Sequence, residues 1–176
     1  GRLIAGRLNR GVAVVVPYTN EAASTAISNT VTETAFSTGY TIPANSLEPG
    51  QLIRIKWQGI ATATNATDTL AIKVYIGGLS GTLLFTHAAT DVADNNVFSG
   101  EYTLVVRTIG SSGTVVGYGT GKSIAAAEGT ATYKDDILAS TTLDTTASKA
   151  IAVSAQWSVA SAGNSVRLDV LTVELA

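Results

Sequence analysis

The chain contains one histidine, His87, so any histidine-based triad must be built on it. No Gly-x-Ser-x-Gly elbow or other nucleophile signature accompanies it, and a lone histidine after a strand reads as a surface or interface residue. Gly117-Tyr118-Gly119-Thr120-Gly121-Lys122-Ser123 has the outline of a phosphate-binding loop. That motif needs a glycine where Val116 stands and a long helix after the lysine. The spacing is off by one and no long helix follows, so the run reads as a glycine-rich strand and turn. Thr90, Asp91, Asp94, Asn95 and Asn96 offer oxygens of the kind calcium takes, but the order of an EF-hand is missing and a solvated loop is the better reading. Asp135-Asp136 beside Lys134 reads as a loop cap rather than a metal pair. Thirteen acids allow many glycosidase-type pairs, yet the aromatic residues that would floor a sugar groove are few, and Trp57 and Trp157 fall on inward-reading faces as core. Asn65-Ala66-Thr67 is a formal glycosylation sequon in a loop. The absence of cysteine excludes a thiol nucleophile, a cysteine zinc site and a disulfide scaffold. On these grounds no catalytic, cofactor-binding or metal-ligating residue is assigned.

The elements that would position any site are set by composition and period. The 176 residues are one domain's worth of chain, with 45% hydrophobic and 14% charged residues. Folding at this length buries roughly 70% of the unfolded surface without a disulfide or metal. Soluble domains are about a quarter charged, so Ser, Thr, Gly and Ala must cover much of the outside, or part of it faces partners. High apolar content with a net charge of -2 excludes disorder. No run approaches the roughly 18 apolar residues of a membrane span; the longest, residues 12–16, stops at Pro17. Gly1 in place of Met suits a trimmed initiator or a processed product, Ala5 does not support N-myristoylation, and no secretion-signal pattern is present.

The first twenty residues carry Arg2, Arg7 and Arg10 and no acid, leaving eight basic against thirteen acidic residues in the rest. With Leu3, Ile4, Leu8, Val14 and Val16 interleaved, the stretch reads as an apolar, basic arm for an acidic, partly apolar surface. Extended, twenty residues reach about 60 Å. Three arginines on an acidic body are too few for a nucleic-acid-binding stripe.

From Thr30 onward period-two alternation dominates. Ile53, Ile55 and Trp57 oppose Arg54, Lys56 and Gln58; Leu70, Ile72, Val74 and Ile76 oppose Ala71, Lys73 and Tyr75, ending at Gly77-Gly78. Tyr102, Leu104 and Val106 share one face, with Val105 and Ile109 on the other suggesting cover on both. Gly117, Gly119 and Gly121 leave one face of their strand bare, so something packs close to it or the strand bends. Ile151, Val153, Ala155 and Trp157 alternate again, and Val166, Leu168 and Val170 open a final strand running to Leu175. Residues 123–128 and 135–140 have the makings of single helical turns only. The expectation is an all-β jelly-roll sandwich of about 8–10 antiparallel strands over residues 25–176, preceded by an extended arm over residues 1–24.

Asn29-Thr30-Val31-Thr32-Glu33-Thr34, then Tyr40-Thr41-Ile42-Pro43-Ala44-Asn45-Ser46-Leu47, then Gly50-Gln51-Leu52-Ile53-Arg54-Ile55 up to Gly59, resembles a pattern of bacteriophage virion proteins of jelly-roll type. The likeness covers about thirty residues and is to capsid decoration (cement) proteins and the globular parts of head and tail fibres. The corner has a physical reading of its own: Pro43 fixes φ and extends Ile42, Asn45 and Ser46 bond local backbone, and Pro49-Gly50 is a turn dipeptide. The resemblance implies a non-enzymatic structural protein, without cofactor or membrane, that forms a homotrimer on the virion surface and binds the major capsid protein. Arg2, Leu3, Ile4, Arg7, Leu8, Arg10, Val14 and Val16 are then the capsid-binding arm. The alternative is a trimeric fibre or spike head that binds a host-surface receptor through loops such as 62–69 and 91–96. A depolymerase or esterase on the same fold ranks below both.

Overall fold

The computed structural model describes residues 15–63, 67–92, 94–124 and 131–176. Among these residues there are twelve strands and no helix. They are β1 (Val15–Thr19), β2 (Ile27–Ser28), β3 (Thr34–Ala35), β4 (Tyr40–Ile42), β5 (Leu52–Thr62), β6 (Thr69–Ile76), β7 (Thr82–Asp91), β8 (Asn96–Thr108), β9 (Thr114–Ile124), β10 (Ala131–Thr142), β11 (Lys149–Trp157) and β12 (Ser165–Leu175). One sheet runs β1-β12-β5-β8-β9-β10, with β2 also on β12; the other runs β3-β11-β6-β7, with β4 also on β11. Every pairing is antiparallel.

Counting β1 with β2, and β3 with β4, as two interrupted strands gives ten, and setting the β9–β10 hairpin aside leaves eight. Their spatial order is first-eighth-third-sixth in one sheet and second-seventh-fourth-fifth in the other. That is a jelly roll, with the β9–β10 hairpin inserted between the sixth and seventh strands and widening the first sheet.

The alternation explains the layers. Ile53, Ile55 and Trp57 from β5, Leu70, Ile72, Val74 and Ile76 from β6, and Ile151, Val153, Ala155 and Trp157 from β11 are all buried in one core. Aromatic pairs join the two sheets at Trp57–Phe85 (5.1 Å between centroids), Phe36–Phe98 (6.4 Å) and Tyr18–Tyr40 (6.0 Å). Such pairs contribute about 0.5–1.5 kcal/mol each beyond area burial. The Pro43 corner is structural as expected: the Ser46 hydroxyl donates to Pro43 O at 2.7 Å, and the Asn45 N–H donates to Thr145 O at 2.8 Å from a left-handed φ of 57°.

Several expectations are corrected. Val170 points outward, because a bulge between Leu168 and Val170 shifts the alternation and turns Leu171 and Val173 inward. Asn20 fills that bulge, accepting the Leu171 N–H at 2.6 Å and donating to Asp169 O at 2.9 Å. The outer face of β8 is open, with Ile109 exposed beyond its end. Residues 135–140 form part of β10 rather than a helical turn, and Asp135-Asp136 is strand rather than loop cap. Of the expected turn over 123–128, Ser123 lies in β9 and residues 125–130 fall outside the described residues. Of residues 1–24, those up to 14 also fall outside, and from Val15 the chain runs along the large sheet: β1 pairs with β12, and Ser24 exchanges bonds with Leu168 at 2.8 and 2.9 Å.

The bare glycine face of β9 is explained by its neighbours. A Cβ at Gly119 would collide with the Tyr102 ring, one at Gly117 would lie 2.6 Å from Tyr102 Cε1, and one at Gly121 would lie 2.5 Å from Phe85 Cζ. Gly100 makes the same room for the Trp57 indole. Overpacking of this kind is destabilising by about 1–3 kcal/mol. Gly119→Val is therefore expected to lower unfolding free energy by at least about 2 kcal/mol in urea titrations, whereas Thr120→Val, on the opposite face of the same strand, changes it little.

Candidate functional site

The outward side chains of β8, β9 and β10 follow from the inward glycines: where Gly117, Gly119 and Gly121 face the core, Tyr118, Thr120 and Lys122 face solvent. Tyr118 lies opposite Ile137, Thr120 opposite Asp135, and Lys122 opposite Tyr133. Ile137 is 81% exposed, Tyr133 71% and Tyr118 55%. Ile137 also shares a small hollow at the β7–β10 seam with Leu83, itself 44% exposed. Tyr118 and Ile137 on the inserted ribbon, with Leu83 of β7 across the seam, thus form an apolar strip.

Nearer the other end of the ribbon lies a shallow hollow of about 330 Å³. Its walls include Lys56 from β5, Glu101 from β8, Thr120 and Lys122 from β9 and Tyr133 from β10. Lys56 is held by Glu174 at 3.3 Å. Glu101 and Lys122 have no ion-pair partner among the described residues.

A second polar cluster sits on the outer face of the small sheet. Residues between β2 and β3 cross this face, and Glu33 accepts Lys73 Nζ at 2.6 Å, the Tyr75 hydroxyl at 2.8 Å and the Ser154 hydroxyl at 2.7 Å. Burial alone would raise the Glu33 pKa; the bonds from Lys73, Ser154 and Tyr75, with the Lys73 charge, outweigh it and hold the pKa below the ordinary 4.5. Burial, then the bond and charge of Glu33, push Tyr75 up to about 12. A serine, a carboxylate and a lysine this close suggest acyl chemistry, but the geometry argues otherwise. Ser154 is wholly buried and its proton is committed to a carboxylate of lowered basicity. The cluster is a clamp that ties the crossing segment to the sheet.

The seam between the sheets is also polar. Asp136, on the inward side of β10, accepts the Thr86 N–H of β7 at 2.9 Å and pairs with Lys134 at 3.1 Å. His87 is buried, its Nε2 3.2 Å from Thr132 O. Burial, then the charge of Asp136, push Tyr102 up to about 12, keeping its phenol neutral at physiological pH.

Of the residues assigned to the arm, Arg2, Leu3, Ile4, Arg7, Leu8, Arg10 and Val14 lie outside the described residues. Val16 is in β1 on the edge of the large sheet, 52% exposed. The described parts of loops 62–69 and 91–96 come together at one end of the sandwich, where Thr62 Oγ1 donates to Asp94 Oδ1 and accepts the Asn95 N–H, both at 3.3 Å. Asp68 is buried beside this end and accepts Asn164 Nδ2 at 2.9 Å. Among the described residues no three His, Asp or Glu side chains gather as metal ligands. The glycine run 117–121 lies within β9, without the loop-to-helix turn a phosphate cradle requires.

Sequence reasoning missed the Glu33 clamp and the ribbon hollow. The signal for the first was Lys73 and Tyr75 on one outward face of β6; for the second, the side chains alternating with the glycines. Glu33→Gln is expected to lower unfolding free energy by about 2 kcal/mol, as when hydrogen bonds to a charged group are removed. Because the folded pKa of Glu33 is depressed, its contribution is fully present above the unfolded value near 4.5 and is lost as pH falls through the folded value. Urea unfolding measured down this pH range should show that loss in the parent chain and not in Glu33→Gln.

No protein-family model matches this chain, and no curated protein matches it, so its own residues and geometry are what bear on function.

Proposed function

We propose that the chain is a non-enzymatic structural protein of a bacteriophage virion, a capsid decoration protein that self-associates as a trimer and is seated on the shell by its N-terminal stretch. The observation that carries this reading is the apolar strip of Tyr118 and Ile137, on a ribbon added to the edge of a jelly roll, with Leu83 of β7 beside it. Exposed apolar patches of roughly 300–600 Å² on otherwise polar domains commonly mark contact sites. In a chain with 14% charged residues, the strip suits the dry centre of a subunit interface.

Two further features support the reading. The stretch that resembles phage virion proteins builds the corner between the second and third strands of the jelly roll, where Pro43, Asn45 and Gly50 fix the chain's course. Val15 and Val16 are exposed on β1, at the edge opposite the ribbon, and the basic, apolar residues 1–14 precede them in the chain. Self-association through one edge leaves the other for the shell. Burying about 300 Å² of apolar strip per subunit contributes several kcal/mol before ordering costs, and a trimer presents three arms at once, so modest single-arm affinities multiply.

Sedimentation equilibrium is expected to give a mass three times the 18.0 kDa of one chain, and Ile137→Lys should return it to one chain that still unfolds cooperatively. Deleting residues 1–14 should leave the trimer intact and remove the protein from phage particles. A single-chain mass at every concentration, with no binding to any phage shell, would overturn the proposal.

A further inference from the structure

The hollow on the outer face of the large sheet is not used by the self-association strip, and its chemistry is different. Lys56 pairs with Glu174 at 3.3 Å, and Arg54 shares that carboxylate at 3.8 Å. That leaves Glu101 and Lys122, one of each sign, on neighbouring strands and diagonal across the ladder, since Glu101 faces Thr120 and Lys122 faces Ser99. Opposite charges so placed ordinarily close on each other. Here no ion pair joins them, nor Glu101 to Lys56 directly opposite it on β5, and all three line the hollow. Tyr133, directly across from Lys122 on β10, raises a largely exposed ring at one side. Gly100 and Gly121 also line the hollow.

We infer that this hollow binds a neutral saccharide. A sugar ring has an apolar face of C–H groups and an edge of hydroxyls, each of which both donates and accepts. The site offers the matching set: an aromatic face at Tyr133, an acceptor at Glu101, a donor at Lys122, and Thr120 and Ser99 that do either. The side chains outside any ion pair that the hollow offers a ligand are one acid, Glu101, and one base, Lys122, which favours a ligand without net charge. Other ligand classes fit less well. A phosphate group is favoured by a nest of backbone N–H groups, which a continuously paired strand does not present, and is repelled by the Glu101 carboxylate. A fatty chain needs an enclosed apolar slot, and this site is open. At about 330 Å³ the hollow is at the small end of ligand pockets, which run from roughly 300 to 1,000 Å³, and suits a short stretch of glycan. The inference is independent of the virion reading. A saccharide site is useful to any surface-displayed module, and the residues involved are distinct from Ile137 and Leu83.

The test is an amide chemical-shift titration of isotope-labelled protein with maltotetraose, cellotetraose and N-acetylchitotetraose. Triglycine is the zwitterionic control and a polygalacturonate oligomer the anionic one. At least one of the neutral oligosaccharides is expected to shift the amides of Glu101, Thr120 and Lys122 saturably. Tyr133→Ala should weaken that binding about tenfold or more, while Tyr133→Phe retains the stacking face and most of the affinity. Because Tyr133 is exposed, an unchanged spectrum elsewhere will verify that the variants fold. Ile137→Lys should leave the titration unaltered even where it abolishes self-association, which separates failure of this inference from failure of the virion reading. The inference is overturned if none of the three neutral oligosaccharides binds, if their shifts map to loops 62–69 and 91–96 instead, if only triglycine or polygalacturonate binds, or if Tyr133→Ala binds as well as the parent chain.

Discussion

The sandwich depends on aromatic rings occupying space that side chains have vacated. Tyr102 and Phe85 can lie against β9 only because Gly117, Gly119 and Gly121 present no Cβ, and Trp57 sits against Gly100 for the same reason. Glycine in a strand ordinarily weakens it, through chain entropy and lost packing. In β9 the rings of neighbouring strands restore the lost contact, and the inserted hairpin gains a core face made of its neighbours' side chains. The ribbon could not join the large sheet with ordinary residues at these positions without pushing the two layers apart. What the ribbon displays outward, the apolar strip and the hollow alike, is held in place by that inward packing.

A low charge density shapes the remainder. With few ionic groups to spend, the fold uses polar side chains singly and at backbone irregularities. Asn20 fills the bulge of β12, Ser24 completes the edge beside Leu168, and Thr145 accepts the Gly110 N–H at 2.8 Å where the turn after β8 needs an anchor. Glu33 is the exception, a carboxylate that collects three donors and ties a crossing segment to the small sheet. Each of these places satisfies a buried or half-buried group that the ladders leave unpaired.

Most of the fold was legible because its strands obey a strict period. In β5, β6 and β11 the apolar residues named from alternation are the buried ones, and the twin tryptophans are core as their positions implied. Reading failed where the period broke for reasons outside the strand itself. Val170 was misassigned because a bulge is specified by Asn20, some 150 residues away in the chain. Residues 135–140 were misjudged because the polar side chains of β10 face a seam instead of an oily interior, so Lys134 and Asp136 hide a strand behind a loop-like composition. The candidate surface was half legible: the glycine alternation announced a closely packed inner face, and the same alternation implied what Tyr118, Thr120 and Lys122 would do on the outer one. The partners of those three on β8 and β10 follow only from strand order, which no local pattern encodes.

The seam where β7 meets β10 bears on how the molecule keeps company. A carboxylate from one sheet's border takes a backbone proton from the other's, while an imidazole lies against a carbonyl in the reverse sense. On the far flank the bordering strands are chopped into pieces of two to five residues. That chopped flank therefore offers no long, unclaimed ladder on which a foreign strand might zip, and at the seam the two borders engage each other. Recognition must pass through side-chain texture, which favours closed, countable assemblies over open-ended fibres even where many copies are crowded together.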